Sequence, residues 1–146
     1  VKYLADINVV FPLLVSRHSH RDKALKWFDS TDAGEVVLCR MTRLGVLRLL
    51  TSAHVMGPDV LKPQAALEAL QILETDERIV LLHEPDGLDA TLTRFAARCA
   101  STPNLWTDVY LAAFASLAGL KLVSFDKGFS RFGGLDFLLL VSVTAK

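Results

Sequence analysis

Residues 106–126 read WTDVYLAAFASLAGLKLVSFD, and the folding of this stretch decides the class of the whole chain. Thr107 suits an N-cap, the run from Val109 to Ala118 is apolar and alanine-rich, and Gly119 stands where a helix ends in a left-handed turn. Leu120 to Phe125 then reads as a buried strand. Asp108 therefore opens a helix almost free of charge, and Asp126 sits where the strand runs out. Ligands of an open parallel sheet bind at the mouth formed by the C-terminal ends of its strands. Two acids aimed at one such mouth point to a metal.

The composition agrees with a buried sheet. Hydrophobic residues make up 51% of the 146, which favours an α/β fold with parallel strands covered by helices on both faces of one domain, 1–146. Sixteen Lys and Arg balance sixteen Asp and Glu, so the formal charge is zero. That balance excludes a protein that coats polyanions through excess positive charge, but it is compatible with a local basic rim around an acidic pocket. Cys39 and Cys99 lie far apart without CxxC spacing and read as small buried hydrophobes in a reducing compartment. The N-terminal run VKYLADINVVFPLLV is broken by Asp6 and Asn8, and no small-residue cleavage site follows it. No other stretch approaches the ~18 uninterrupted apolar residues of a membrane helix. The chain reads as soluble and cytoplasmic.

Upstream of the opening stretch, strands and helices alternate. Lys2 to Ala5 is the first strand, and the turn chemistry of Asp6 and Asn8 leads into a helix over Val9 to Ser16. A second helix spans Arg21 to Ser30, with Ala24, Leu25, Trp27 and Phe28 facing inward. Glu35 to Cys39 holds the second strand, and Thr42 suits the N-cap of a helix from Arg43 to about Ala53. His54 to Lys62 reads as a loop, Pro63 as the first position of a helix to Thr75, and Ile79 to Leu82 as the third strand. A helix from Leu88 to Cys99 precedes the opening stretch. After it come a turn over Lys127 to Arg131 and a last strand at Phe137 to Val143. Short strands joined by helices imply parallel pairing and right-handed crossovers, hence a central sheet of about five short strands flanked by helices.

Asp6, Asp108 and Asp126 thus each fall at a strand end or helix start on one sheet edge. Crowded carboxylates repel, and keeping them ionised costs stability unless a cation fills the gap. Hard oxygen ligands without His or Cys favour Mg²⁺ or Mn²⁺ over zinc, and such a site suits phosphodiester hydrolysis. Any one of the three serves equally well as a simple cap; the set is more specific than its members.

LADINVV at the N-terminus, CRMTRLGVLRLLTS in the first third, and TDVYLAAFA and VSFDKGF near the end resemble, in order and spacing, the PIN-domain family. Within it they resemble the VapC-type toxins of bacterial toxin–antitoxin modules, and the resemblance covers nearly the whole chain. It implies a Mg²⁺- or Mn²⁺-dependent endoribonuclease that cuts tRNA, rRNA or mRNA, a homodimer, and a cognate VapB-type antitoxin that blocks the site. Asp6, Asp108 and Asp126 match three of the family's acidic catalytic and metal-site residues. Asn8 and Ser124 match polar positions beside the first and last acids.

One position departs from the pattern. Where many members place a further acid at the start of the third helix, this chain has Arg43, whose guanidinium cannot ligate a cation. Glu35 cannot stand in, because a strand of about four residues at ~3.3 Å each puts it more than 10 Å away at the wrong sheet end. Either Arg43 contacts substrate phosphate or pairs with a remaining acid, leaving a weaker, substrate-assisted metal site, or the chain is a catalytically silent PIN-like module that binds RNA or a protein. His18, His20 and His54 are weaker metal candidates. Arg94 with Arg98, and Lys121 with Lys127 and Arg131, could line an RNA path or simply be solvated. Trp27 and Trp106 read as core or dimer-interface residues. A phosphoacceptor receiver domain is a distant rival, since only Asp6 follows the first strand and Ile79 to Leu82 ends in His83 and Glu84.

Overall fold

Strand β1, Tyr3–Ala5, is short because Asp6 ends it: Asp6 Oδ1 accepts the Ile7 N–H at 2.7 Å and starts helix α1, Ile7–Leu14, two residues before the predicted Val9. Pro12 lies inside α1, and the carbonyls of Pro12 and Leu13 accept the Arg21 guanidinium at 3.2 and 3.0 Å, which ties α1 to helix α2, Arg21–Asp29. Strand β2, Val36–Leu38, leads into α3, Arg40–Leu50. A short helix α4, Ala53–Met56, and a 3₁₀ turn at Gly57–Asp59 occupy the segment predicted as loop; the Ser52 hydroxyl accepts from Val55 N–H at 3.3 Å to start it. Then follow α5, Pro63–Glu74, β3, Ile79–Leu81, α6, Leu88–Ala96, α7, Leu105–Ala118, β4, Lys121–Ser124, a 3₁₀ turn at Lys127–Arg131, and β5, Phe137–Leu139. The computed structural model describes residues 1–141; β5 stops at Leu139, short of the predicted Leu140 and Val141, and the rest of the predicted strand, Ser142 and Val143, lies outside the described residues. Gly119, at φ +67°, ends α7 in the left-handed turn read from the sequence.

Thr42 and Thr107, predicted as N-caps, lie inside their helices. Helices α3 and α7 begin after Cys39 and Asn104 instead, neither of which makes a side-chain cap. The Thr42 hydroxyl is fully buried and donates to Ala5 O at 3.0 Å, a tertiary bond from α3 to the end of β1.

All strand pairs are parallel, in the order β3-β2-β1-β4-β5. The chain runs outward from β1 to β3 on one side and from β4 to β5 on the other, so the order reverses between β1 and β4. A crevice opens at such a reversal, beyond the C-terminal strand ends. Alternating strand residues serve two cores. Ala5, Val36, Leu38 and Val123 pack with α1, α2, α3 and α5 on one face, while Leu4, Val37 and Leu122 pack with α6 and α7 on the other. No helix among the described residues is long and apolar enough to cross a membrane.

At the entry to β3, Arg78 Nε and Nη2 donate to Asp76 Oδ1 and Oδ2 at 2.9 and 2.8 Å, and the guanidinium lies 3.8 Å over the Phe28 ring of α2. Hydrogen bonds from the Arg78 side chain and backbone hold the Asp76 carboxyl down at about 2. A depressed carboxylate stabilises the fold above its unfolded pKa, near 4, and loses that contribution as pH falls through its folded value. Asp76→Asn is therefore expected to cost ~0.5–1 kcal/mol at pH 7 after solvent screening. Urea denaturation is expected to show this difference intact above about pH 4 and vanishing towards pH 2.

Candidate metal centre

The crevice between β1 and β4 is held by one hydroxyl. Ser124, fully buried at the end of β4, donates to Asp6 Oδ2 at 2.7 Å and accepts from Asn8 Nδ2 at 3.1 Å and from Asp126 N–H at 2.9 Å. One donor and two acceptor sites are all that a hydroxyl has. Asn8 Oδ1 accepts Phe125 N–H at 3.2 Å, closing the link between α1 and the end of β4. Asp126 Oδ1 accepts Gly128 N–H at 2.8 Å and opens the 3₁₀ turn. Asp108, in the first turn of α7 and 8% exposed, takes the third side; its Oδ2 accepts Arg131 Nη2 at 3.2 Å.

All three carboxylates line one cavity of about 350 Å³, together with Asn8, Asn104, Thr107, His18, His20 and Arg48. Buried polar side chains cost stability unless something compensates them. Of the buried polar residues Asp6, Thr31, Thr42, Thr91, Asp108 and Ser124, four stand at or directly beside this crevice. Burial pushes the Asp6 carboxyl up to about 6, against the Ser124 and Ile7 hydrogen bonds, and the charges of Asp108 and Asp126 push the same way. Burial also raises Asp108, opposed by Arg131. The N-termini of α1 and α7 both face this region, and their partial positive charge offsets some of the crowding.

Among the described residues, no three acid, imidazole or thiol groups stand close enough together to enclose an ion as they lie. Each carboxylate is turned onto an internal donor: Asp6 onto Ser124 and Ile7, Asp108 onto Arg131, Asp126 onto Gly128. The donor set nonetheless fits a small hard cation: three carboxylates and two amides share one cavity, and the buried Asp6 is held ionised only at a cost that a cation offsets. Asp108 Oδ1 accepts no hydrogen bond among the described residues, so Asp108 could meet an ion through that oxygen, or through Oδ2 by giving up its guanidinium.

Asn8 and Ser124 stand where the sequence placed them, beside the first and last acids. Arg43 does not. Helix α3 begins at Arg40 and turns Thr42 toward β1, so Arg43 points away from the crevice and its Nε pairs with Glu74 Oε1 of α5 at 3.0 Å. It lines a separate cavity of about 610 Å³ with Leu44, Leu81 and Glu84. The residue that α3 packs against Ile7, next to Asp6, is Gly45, where any Cβ would overlap the Ile7 side chain, and the helix then lines the site with Arg48 and Leu49. Lys121 begins β4 at the opposite sheet end and pairs with Asp136 at 3.7 Å, so it leaves the proposed RNA path. Trp27 is core, whereas Trp106 is 64% exposed.

His18 and His20 carried little signal in the sequence, since two of the acids they join, Asp108 and Asp126, are about a hundred residues away; the loop after α1 folds them into the cavity. The His20 ring stacks on Phe125 at 4.1 Å. His18 Nδ1 accepts His20 N–H at 3.0 Å, and burial with the neighbouring His20 lowers the His18 pKa. His54 does not line this cavity.

The profile of the PIN domain family matches residues 3–135, nearly the full length of the chain. The chain belongs to the PIN-domain family. Ribonuclease VapC41 of Mycobacterium tuberculosis is 39% identical over 142 residues, spanning 94% of this chain and 97% of that protein. The fold is also that of Mycobacterium tuberculosis VapC20, a sarcin-ricin loop cleaving toxin, at TM-score 0.70 and 16% identity over 92% of this chain and 98% of the other. VapBC2 from Rickettsia felis, solved bound to a DNA fragment from its promoter, matches at TM-score 0.68 and 12% identity over 95% and 98%. A PIN fold leaves no place for the receiver-domain reading, and β3 with its His83 and Glu84 is an edge strand rather than a central one.

Arg43→Ala is expected to cost ~1–3 kcal/mol, because it leaves the mostly buried Glu74 carboxylate unpaired. Metal affinity, followed by Trp106 fluorescence, is expected to stay within about twofold of the wild-type value, because Arg43 faces away from the acids. A large change in affinity with unchanged stability would place Arg43 at the site after all.

Proposed function

We propose that this chain is a VapC-type endoribonuclease toxin that hydrolyses RNA phosphodiester bonds with Mg²⁺ or Mn²⁺. The observation that carries this reading is the convergence of Asp6, Asp108 and Asp126 on one cavity at the sheet's reversal point. The 39% identity to a protein named a ribonuclease supports the substrate class. Asp6 and Asp126 would hold the ion directly or through water, and Asp108 would hold the ion or orient the attacking water. Ser124 and Asn8 fix the angle of Asp6 against the end of β4. When bound, the ion polarises the phosphoryl oxygen and acidifies water. His18 and His20 form part of the cavity wall, with His20 seated on Phe125.

Solved relatives of this fold include VapBC complexes, which supports a VapB-type antitoxin as partner. Leu44, Leu81 and Leu82 stay exposed around the cavity that Arg43 lines, an apolar surface that supports pairing of two copies into a homodimer.

The alternative, a PIN-like module that binds without cutting, loses Arg43 as its argument but gains another in the Arg131–Asp108 pair, which occupies one acid. Incubating the purified protein with tRNA and rRNA separates the two readings. Cleavage is expected in Mn²⁺, absent in EDTA, and reduced ~10²-fold or more in Asp6→Asn with its circular dichroism unchanged. Binding without cleavage under every condition would favour the silent module, and cleavage that persists in EDTA would remove the metal from the mechanism.

A further inference from the structure

The acid-lined cavity has a neighbour of opposite charge. A cavity of about 290 Å³ lies on the Arg131 side of Asp108, and among the described residues its only charged lining groups are Arg94 of α6, Arg98 just past the end of that helix, and Arg131. In a chain whose acids and bases balance, neither Arg94 nor Arg98 pairs with a carboxylate among the described residues. All three guanidinium groups are exposed, so solvent screens their mutual repulsion, but together they make the space a positive one that an anion can enter.

Other features prepare the space for such an anion. The Phe95 and Phe132 rings, 5.4 Å apart, support two of the guanidinium groups: Arg94 Cζ lies 5.5 Å from the Phe95 centroid and Arg131 Cζ 4.6 Å from that of Phe132. Gly133 and Gly134 form part of the wall, and their N–H groups donate to no protein acceptor among the described residues. Gly134 has φ +82°, and a Cβ built at Gly133 meets nothing within 4 Å, so an oxyanion can approach this backbone closely. Guanidinium forks with free backbone N–H groups suit phosphate oxygens.

Arg131 joins the two cavities. Its Nη1 donates to Gly128 O at 2.8 Å and its Nη2 to Asp108 at 3.2 Å, while its guanidinium also walls the arginine cavity. Ser116, on that cavity's rim, lies eight residues and ~12 Å along α7 from Asp108. A phosphate seated there would lie within a short stretch of strand from one placed over the acids.

We propose that the cavity walled by Arg94, Arg98 and Arg131 is a backbone-phosphate subsite for the RNA chain, an inference that rests on the nuclease reading of the acid-lined cavity. Arg94 and Arg98 are positioning residues that fix the strand. Arg131, drawn by the seated phosphate, releases Asp108 Oδ2 toward the ion, so substrate and metal bind better together than apart. The arrangement also accounts for how a chain without net charge draws a polyanion to an acidic crevice.

The test is fluorescence anisotropy of a labelled single-stranded RNA in EDTA, at salt concentrations from ~50 to ~200 mM, with the full chain, Arg94→Gln/Arg98→Gln and Arg94→Lys/Arg98→Lys. The Gln variant is expected to bind ~10-fold or more weakly at low salt and to lower the slope of log K against log salt by about one to two. The Lys variant is expected to keep most of that slope, and Mn²⁺ affinity read by Trp106 fluorescence in the absence of RNA is expected to be unchanged in both. Unchanged RNA affinity and slope in the Gln variant, in a protein that still cleaves RNA, would overturn the subsite alone. Failure of the full chain to bind RNA at all would overturn the subsite together with the nuclease reading. Poly-glutamate that displaces RNA at equal charge concentration would mark the surface as a docking site for an acidic protein and would also overturn the proposal.

Discussion

Ser124 has one hydroxyl hydrogen and two lone pairs, and all three are committed at the end of β4, to Asp6, Asn8 and the backbone of Asp126. The rest of the site depends on that saturation. It joins the first acid, at the end of β1, to the last acid, 120 residues further along the chain, and it does so where the strand order reverses. A buried carboxylate without such a donor would be still harder to ionise, and burial already holds Asp6 near 6. A carboxyl raised in the fold above its unfolded value of about 4 weakens the fold as pH climbs through that interval, so above pH 6 the ionised group is a standing cost. Thr42, bonded to Ala5 O, steadies the same corner from α3. The site therefore trades stability for a charged, desolvated oxygen, which a divalent ion can use.

The charge layout around this corner is asymmetric. Three carboxylates face one cavity and three guanidinium groups face the next, with the Arg131–Asp108 pair at their boundary. Total charge conceals this layout completely, because the two halves cancel. An ion on the acids and a phosphate among the arginines would each neutralise charge on its own side, and each would compete for one member of the boundary pair. That competition is a physical basis for mutual dependence of metal and nucleic acid, and it needs no movement of the backbone.

Much of this was legible in the sequence because each acid directly follows a strand or opens a helix, and those local signals are strong. Asp6, Asp108 and Asp126 were placed by the ends of β1, α7 and β4, and the parallel sheet by short apolar runs between helices. The misreadings have a common origin in partners distant along the chain. Thr42 has the chemistry of an N-cap, but its hydroxyl is taken by a carbonyl 37 residues earlier. Starting α3 at Arg40 instead of Arg43 changes which side of the helix each residue occupies, which removes Arg43 from the site and puts Gly45 against Ile7. His18 and His20 look like loop residues until the loop folds back over the acids. Arg94, Arg98 and Arg131 could be named as candidates, but only the packing of α6 against α7 and the turn after Asp126 brings them to one space.

The central claim is that three carboxylates distant in sequence line one cavity in which a divalent cation draws them together. Crystals grown with Mn²⁺ and measured for its anomalous scattering test this most directly. The account predicts a peak between Asp6 and Asp126, at about 2.0–2.2 Å from the carboxylate oxygens bound directly, with the Arg131 side chain turned away from Asp108. A peak elsewhere, or no peak while Arg131 still holds Asp108, would contradict it.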